Sequence, residues 1–334
     1  MSSPYLLDMS KPVFFSDRRR IINLKSGFVH KLLCDGPTFT TGDACVYKCS
    51  FCYVPSMMAR DPEMIAIRGK AGRAHSDLVI RRRDALARMR EQLVNSNGAP
   101  RYTDPGDNRC CFSSPLVDVA ANMDLVRETI EACRLILTLT HWQIRLLSKS
   151  SLLAKIAEAL AEYKDRVIYG LSTGTLVDGL ARIFEEGTPL VSKRIESLHW
   201  LQDNGFRTYG MACPILPQAD YGAFAAELAE RLRVDRCEHV WAEALNERGE
   251  SLVRTVKILS AGGFVKEAAM VQAVGTDAAE WEEYSRAMFL ALLKTVPADK
   301  LRFMQYVTKA SAAWWKRYEG KGAVVLGKAA ETAV

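Results

Sequence analysis

Apolar positions recur along residues 122–135 at the three- and four-residue spacing of a helix face, with Met123, Val126, Ile130 and Cys133 on one side. The same spacing marks residues 150–163. There Leu152, Leu153, Ile156 and Leu160 follow a serine pair able to cap the first turn. It returns at residues 192–204, where Ile195, Leu198 and Leu201 point inward and Gly205 supplies a stop, and again at 221–234. Between these segments lie short runs that read as strands: 109–113, 142–147, 166–171, 207–213 and 239–245. A less defined strand falls at 27–33 or 38–41. The alternation makes six β/α units and predicts an α/β fold with a parallel sheet, an open partial (β/α)6 barrel of the TIM type. Residues 1–35 read as an N-terminal extension, 36–249 as the barrel and 250–334 as a mainly helical C-terminal extension, with Gly262 and Gly263 as a hinge. Chemistry in such barrels gathers at the C-terminal ends of the strands. That rule collects residues 45–52, Cys111 to Ser114, Lys149, Ser172, Thr173, Cys213, Glu243 and Asn246.

Composition narrows the class. The chain has 334 residues, 49% apolar and 25% charged, which excludes wholesale disorder and a fibrous fold. It offers no run of the roughly 18 apolar residues that a membrane span needs, and its first twenty residues lack the layout of a signal peptide. A cytoplasmic protein without membrane association is the expectation. The formal net charge is +6 and unevenly spread. Eight basic residues between Arg68 and Arg90, among them Arg81, Arg82 and Arg83, face only Asp77 and Asp84. A stripe of this kind suits phosphate contact or is simply a solvated face. Residues 300–321 interleave Arg302, Lys309, Lys316 and Arg317 with Phe303, Tyr306, Trp314, Trp315 and Tyr318. That pattern fits base stacking on nucleic acid, or an amphipathic helix packed on the barrel.

Nine cysteines is an odd count in a chain long enough to build its own core, so a disulfide scaffold is not expected. Three of them stand apart: Cys45, Cys49 and Cys52 form C-x3-C-x2-C. One loop can fold these sulfurs round a single inorganic centre. An iron–sulfur cube has four corners, and three thiolates leave one iron open to a small molecule. Two other readings stand beside this one. Cys49 and Cys52 are spaced as half of a zinc site, although Cys110 and Cys111 are poorly spaced for the other half. Buried core cysteines are the second, at odds with Asp43, Lys48 and Ser50 alongside.

The triplet, with Phe51 at the aromatic position, resembles the C-x3-C-x-(aromatic)-C signature of the radical S-adenosylmethionine (SAM) enzymes. The resemblance implies a [4Fe–4S] cluster on Cys45, Cys49 and Cys52, SAM as cofactor and a reductant such as flavodoxin or ferredoxin. Further stretches resemble the spore photoproduct lyase branch: Cys111-Phe112-Ser113, Leu147-Ser148-Lys149, Phe184-Glu185-Glu186-Gly187-Thr188, residues 209–215 and residues 243–249. That likeness implies a DNA substrate carrying a pyrimidine lesion. It makes Cys111 a hydrogen donor and Tyr53 a relay. It assigns Lys149 to the SAM carboxylate, and Ser113, Ser172 and Thr173 to hydroxyl contacts with SAM. Phe51 replaces a family tyrosine, Glu186 replaces a proline, and the region beyond residue 249 has no counterpart. Radical modification of RNA, a peptide or a small molecule is the second reading. A non-catalytic zinc protein that binds nucleic acid is the third.

Overall fold

The computed structural model describes residues 11–113, 115–246 and 250–327. Ser114, Arg248 and Gly249, which the sequence singled out, lie outside the described residues, as does the start of the N-terminal extension.

Nine strands form the main sheet and lie side by side in chain order. They are β1 Ile22–Asn23, β2 Thr38–Phe39, β3 Cys110–Ser113, β4 Gln143–Ser148, β5 Val167–Ser172, β6 Arg207–Ile215, β7 Val240–Ala244, β8 Leu301–Tyr306 and β9 Ala323–Leu326. β1 is antiparallel to β2, and every later neighbour is parallel. Repeated β/α crossovers of one hand give this order. The edge strands β1 and β9 do not pair with each other, so the barrel is open.

The crossover helices form where periodicity placed them. Asn122 caps Met123–Leu139 by accepting from the Leu125 N–H at 2.9 Å. Asp220 caps Tyr221–Leu232 in the same way through Ala223. Val191–Asp203 ends before Gly205, whose φ of 72° favours glycine. The helix expected over 150–163 is shorter, Leu153–Ala159 followed by a 3-10 turn. The strand before the cysteine triplet is β2, while Gly27–Lys31 is a 3-10 turn.

The C-terminal region is mainly helical, as expected, and also extends the sheet. After the helices Ser251–Ala261, Val265–Thr276 and Ala278–Thr295 it adds β8 and β9 to the sheet. The sheet therefore runs on past residue 250, and the Gly262–Gly263 pair is a turn between helices.

The pleat sends alternate strand residues to the barrel interior and to the helix-facing side. Cys110, Phe112, Ile168, Tyr209, Met211, Trp241 and Met304 fill the barrel interior. Cys111, Ile144, Leu146, Val167 and Tyr169 face the helices, against Val126, Cys133, Ile136 and Ile156. Inside, Tyr209 occupies the space left by Gly170, where a Cβ would stand 2.1 Å from the ring. Gly170→Ala is expected to cost about 1–3 kcal/mol by overpacking. The readout is a lower denaturant midpoint at unchanged slope.

Candidate active site at the C-terminal mouth of the barrel

The cysteine loop leaves β2 through a second, three-stranded unit. Val13–Ser16 runs parallel to Val79–Arg82, which is antiparallel to Gly42–Ala44. Asp43 is fully buried there and accepts from Ser16 Oγ at 2.7 Å and from Arg82 Nη2 at 2.6 Å. Beyond it, Lys48–Cys49 pairs antiparallel with Glu185–Glu186, Cys49 opposite Glu185. Ser50 N–H donates to Phe184 O at 2.9 Å, and the Phe51 ring lies 5.3 Å from that of Phe184. This apolar contact and the short ladder fix the middle of the loop.

Two cations hold its ends. Lys11 Nζ donates to Cys45 O at 3.3 Å and to Tyr47 O at 3.0 Å. Arg254 donates from Nε to Ser50 O and from Nη2 to Cys52 O, each at 3.2 Å. Ser50 Oγ also meets Thr255 Oγ1 at 2.8 Å.

Cys45, Cys49 and Cys52 are free thiols, each half-buried. Burial pushes Cys45 up to about 11 and also raises Cys49 and Cys52; Lys149 opposes the rise at Cys49 and Arg254 opposes it at Cys52. Bound iron displaces such protons, because a thiolate is the ligand. Among the described residues no three His, Cys, Asp or Glu side chains converge on one ion. Mononuclear zinc requires such convergence. A cube does not, since each thiolate takes its own iron. Three free thiols on one braced loop with cations around them fit a cluster.

Lys149 ends β4 and reaches the same loop. Its Nζ donates to Glu185 Oε1 at 2.7 Å and to Ser172 Oγ at 3.0 Å, and stands 5.3 Å from the centre of the Phe51 ring. Glu185 is fully buried, and its other oxygen accepts from the fully buried Arg194 at 2.6 Å. Burial alone would raise the Glu185 carboxyl, but Lys149 and Arg194 outweigh it and hold the carboxyl below its ordinary value. Asp118 sets the turn, accepting from Ser148 Oγ and from the Lys149 N–H at 2.7 Å each.

A second group stands across the mouth. Cys213 Sγ, on β6, donates to Glu243 Oε2 at 3.3 Å. Lys31 Nζ approaches the same oxygen at 3.6 Å, and Asn246 Nδ2 donates to Oε1 at 2.8 Å. Tyr53 is 38% exposed at the lip, and its hydroxyl donates to Pro115 O. Desolvation first, then Cys52, Cys213 and Glu243, raise the Tyr53 phenol.

Of the residues singled out by sequence, the fold gathers Cys45, Cys49, Cys52, Phe51, Tyr53, Lys149 and Ser172. Others sit elsewhere. Cys111 is 0% exposed on the helix-facing side of β3; Cys110 is the one that points into the barrel. The pleat decides this, since adjacent residues take opposite faces. The Thr173 hydroxyl is spent on Thr175 O. Ser113 Oγ is buried with no partner among the described residues.

The three adjacent arginines of the basic stripe each meet a carboxylate. Arg81 pairs with Glu128, Arg82 is 7% exposed on Asp43, and Arg83 bridges to Asp17 at 3.0 Å. These arginines tie the N-terminal strand and the cysteine loop together. In residues 300–321 the aromatics pack inward. Trp315 is 0% exposed and stacks 5.7 Å from Phe303, Lys316 pairs with Glu319, and Arg317 lies over Trp314. The stripe and this segment therefore carry less free charge than the sequence suggests. Lys11, Arg254, Glu185, Asp118 and Lys31 are the site residues that sequence reasoning passed over. Glu185 stood inside a quoted stretch, whereas nothing local marked Lys11 or Arg254.

The comparisons with known proteins agree with this geometry. A family model described as the radical SAM superfamily matches residues 39–219. The chain is 25% identical over 252 residues to the uncharacterized protein ORF301 of Acidianus two-tailed virus, covering 70% of this chain and 75% of that one. Spore photoproduct lyase complexed with dinucleoside spore photoproduct superposes with a TM-score of 0.51 at 12% identity, over 74% of this chain. A mutant of that enzyme with bound AdoMet and the same dinucleoside gives 0.50 at 13%. Each alignment covers 66% of the lyase, so the chain spans just under two thirds of those proteins. With its cysteine loop at the mouth of an open parallel barrel and a family match over more than half its length, the chain belongs to the radical SAM superfamily.

Proposed function

We propose that the chain is a lyase-like radical SAM enzyme acting on a modified pyrimidine, with lesion-bearing DNA as the substrate class. Radical SAM enzymes use a [4Fe–4S] cluster and SAM. When bound and reduced, the cluster supplies the electron that cleaves SAM to methionine and a 5′-deoxyadenosyl radical, which takes a hydrogen atom from the substrate. The protein binds, orients and excludes water. Cys45, Cys49 and Cys52 would hold the cluster. Lys149, aimed by Glu185 and Asp118, offers its ammonium to the SAM carboxylate, and the Ser172 hydroxyl lies beside it. Phe51 shields that side of the loop. A flavodoxin- or ferredoxin-type donor delivers the electron.

The observation that carries the reading is the convergence of Lys149, Ser172 and Phe51 beside the Cys49–Glu185 pairing, with the Cys213–Glu243 pair at the C-terminal ends of β6 and β7. The resemblance gives hydrogen return to Cys111. Because Cys111 faces the helices, this reading gives the task to Cys213, a half-buried thiol that burial and Glu243 keep protonated. Its S–H hydrogen passes to the substrate carbon. One electron from the same donor and one proton then restore the thiol. Tyr53 lies at the lip. Cys213→Ala is expected to keep 5′-deoxyadenosine formation and to lose solvent deuterium in the recovered base, measured in D2O; Cys111→Ala is expected to change neither.

Reduced enzyme incubated with SAM and dinucleoside spore photoproduct tests the substrate. Recovery of the thymine dinucleotide supports it, whereas 5′-deoxyadenosine without recovery rejects it. A second reading, hydrogen abstraction from RNA, a peptide or a small molecule, draws on the internal pairing of Arg81, Arg82 and Arg83. Weak, salt-independent association with oligonucleotides would favour a peptide or small molecule.

A further inference from the structure

We propose that Lys11 and Arg254 form a cationic clamp that raises the reduction potential of the cluster held by the cysteine loop. The inference rests on membership of the radical SAM superfamily and not on the choice of substrate. Both residues lie outside the span matched by the family model, residues 39–219, so they belong to this chain's own flanks. They grip opposite ends of the loop: Lys11 through the carbonyls of Cys45 and Tyr47, Arg254 through those of Ser50 and Cys52.

Three thiolates round a four-iron cube leave it with one net negative charge when oxidised and two when reduced. A nearby cation in a desolvated site therefore stabilises the reduced form more than the oxidised form. Lys149, a third cation near the loop, shares the Glu185 carboxylate with Arg194. Among the described residues neither Lys11 nor Arg254 has a carboxylate within ion-pair distance, so their charge remains for the loop. Lys11 is 8% exposed, which limits screening by water and salt. The Arg254 helix is held against the loop by the Thr255–Ser50 contact as well.

The test is a redox titration of the full chain with its reconstituted cluster, followed by electron paramagnetic resonance. Lys11→Gln and Arg254→Gln keep donors and remove charge; Lys11→Arg and Arg254→Lys keep charge. Each glutamine variant is expected to hold wild-type iron and sulfide and to shift its midpoint negative by roughly a tenfold change in the reduced-to-oxidised ratio, about 59 mV for one electron. The charge-conserving variants are expected to match wild type. Loss of the cluster from the glutamine variants alone overturns the proposal, because the two cations would then hold the cluster in place without tuning its potential. Unchanged midpoints in both glutamine variants overturn the proposal, and so do equal shifts or cluster loss in the charge-conserving pair. Absence of iron and sulfide from the wild-type chain would instead defeat the superfamily reading of the loop.

Discussion

Alanine at Cys45, Cys49 or Cys52 is expected to leave a folded protein that holds little iron and makes no 5′-deoxyadenosine above background. Each thiol sits on a loop braced by contacts that do not involve sulfur. Asp43 and Arg82 fix its start, the pairing with Glu185 and Glu186 fixes its centre, and Arg254 fixes its end. The scaffold should therefore survive the loss of one Sγ. The cluster should not, because a two-thiolate site leaves two irons open to water and to loss. Outer-shell changes at metal sites cost about 10–100-fold, and removing a ligand is expected to exceed that. Iron and sulfide per chain, the visible absorbance of anaerobic preparations and 5′-deoxyadenosine yield are the three readouts. A variant that keeps full iron and full SAM cleavage would remove its cysteine from the ligand set.

The parallel core was legible in the sequence because its signals are local. Asn122, Asp220 and Gly205 mark helix ends through hydrogen bonds or backbone preferences within a few residues. The apolar periods of residues 122–135 and 192–204 state which face is buried. The strands β8 and β9 were not legible. β8 interleaves its apolar residues with Arg302 and Gln305, β9 is a run of only four residues between Gly322 and Gly327, and aromatics crowd the segment between them. Parallel pairing with β7 decides their form, and no local rule reports it.

The site divides along the same line. The triplet is a spacing within eight residues, so it could be read directly. Lys149 could be placed at a strand end, but its partner Glu185 lies 36 residues further on, and Arg194, the second cation on Glu185, lies 45 residues on; they assemble only in the fold. Cys111 shows the converse. Sequence order put it at the mouth, and a one-residue pleat turned it to the helices while leaving Cys110 inside. Part of the arginine stripe carries less free charge than its sequence suggests, for an energetic reason. A run of like charge looks free until its carboxylates arrive from elsewhere, here Asp17, Asp43 and Glu128.

Glu185→Gln is expected to lower the unfolding free energy by about 3–5 kcal/mol, the cost of removing one member of a buried ion pair. Glu185 joins two cations: Lys149 on one oxygen and the fully buried Arg194 on the other. A glutamine preserves shape and one acceptor, but it leaves Arg194 without a counter-charge and turns an N–H toward a donor. The wild-type protein should show the matching pH dependence. Because the Glu185 carboxyl titrates below its ordinary value in the fold, its stabilisation is complete above the unfolded-state value and fades as pH falls through the folded-state value. Denaturant midpoints measured from neutral to acid pH should therefore fall in the wild type and fall less in Glu185→Gln. The variant should also loosen Lys149, raising the SAM concentration needed for half-maximal cleavage. Arg194→Met is the control: it removes a cation that does not face the mouth, so stability should fall while Lys149, still paired with Glu185, keeps its hold on SAM. Equal stability of wild type and Glu185→Gln at neutral pH would show that the triad is not an energetic anchor of the loop.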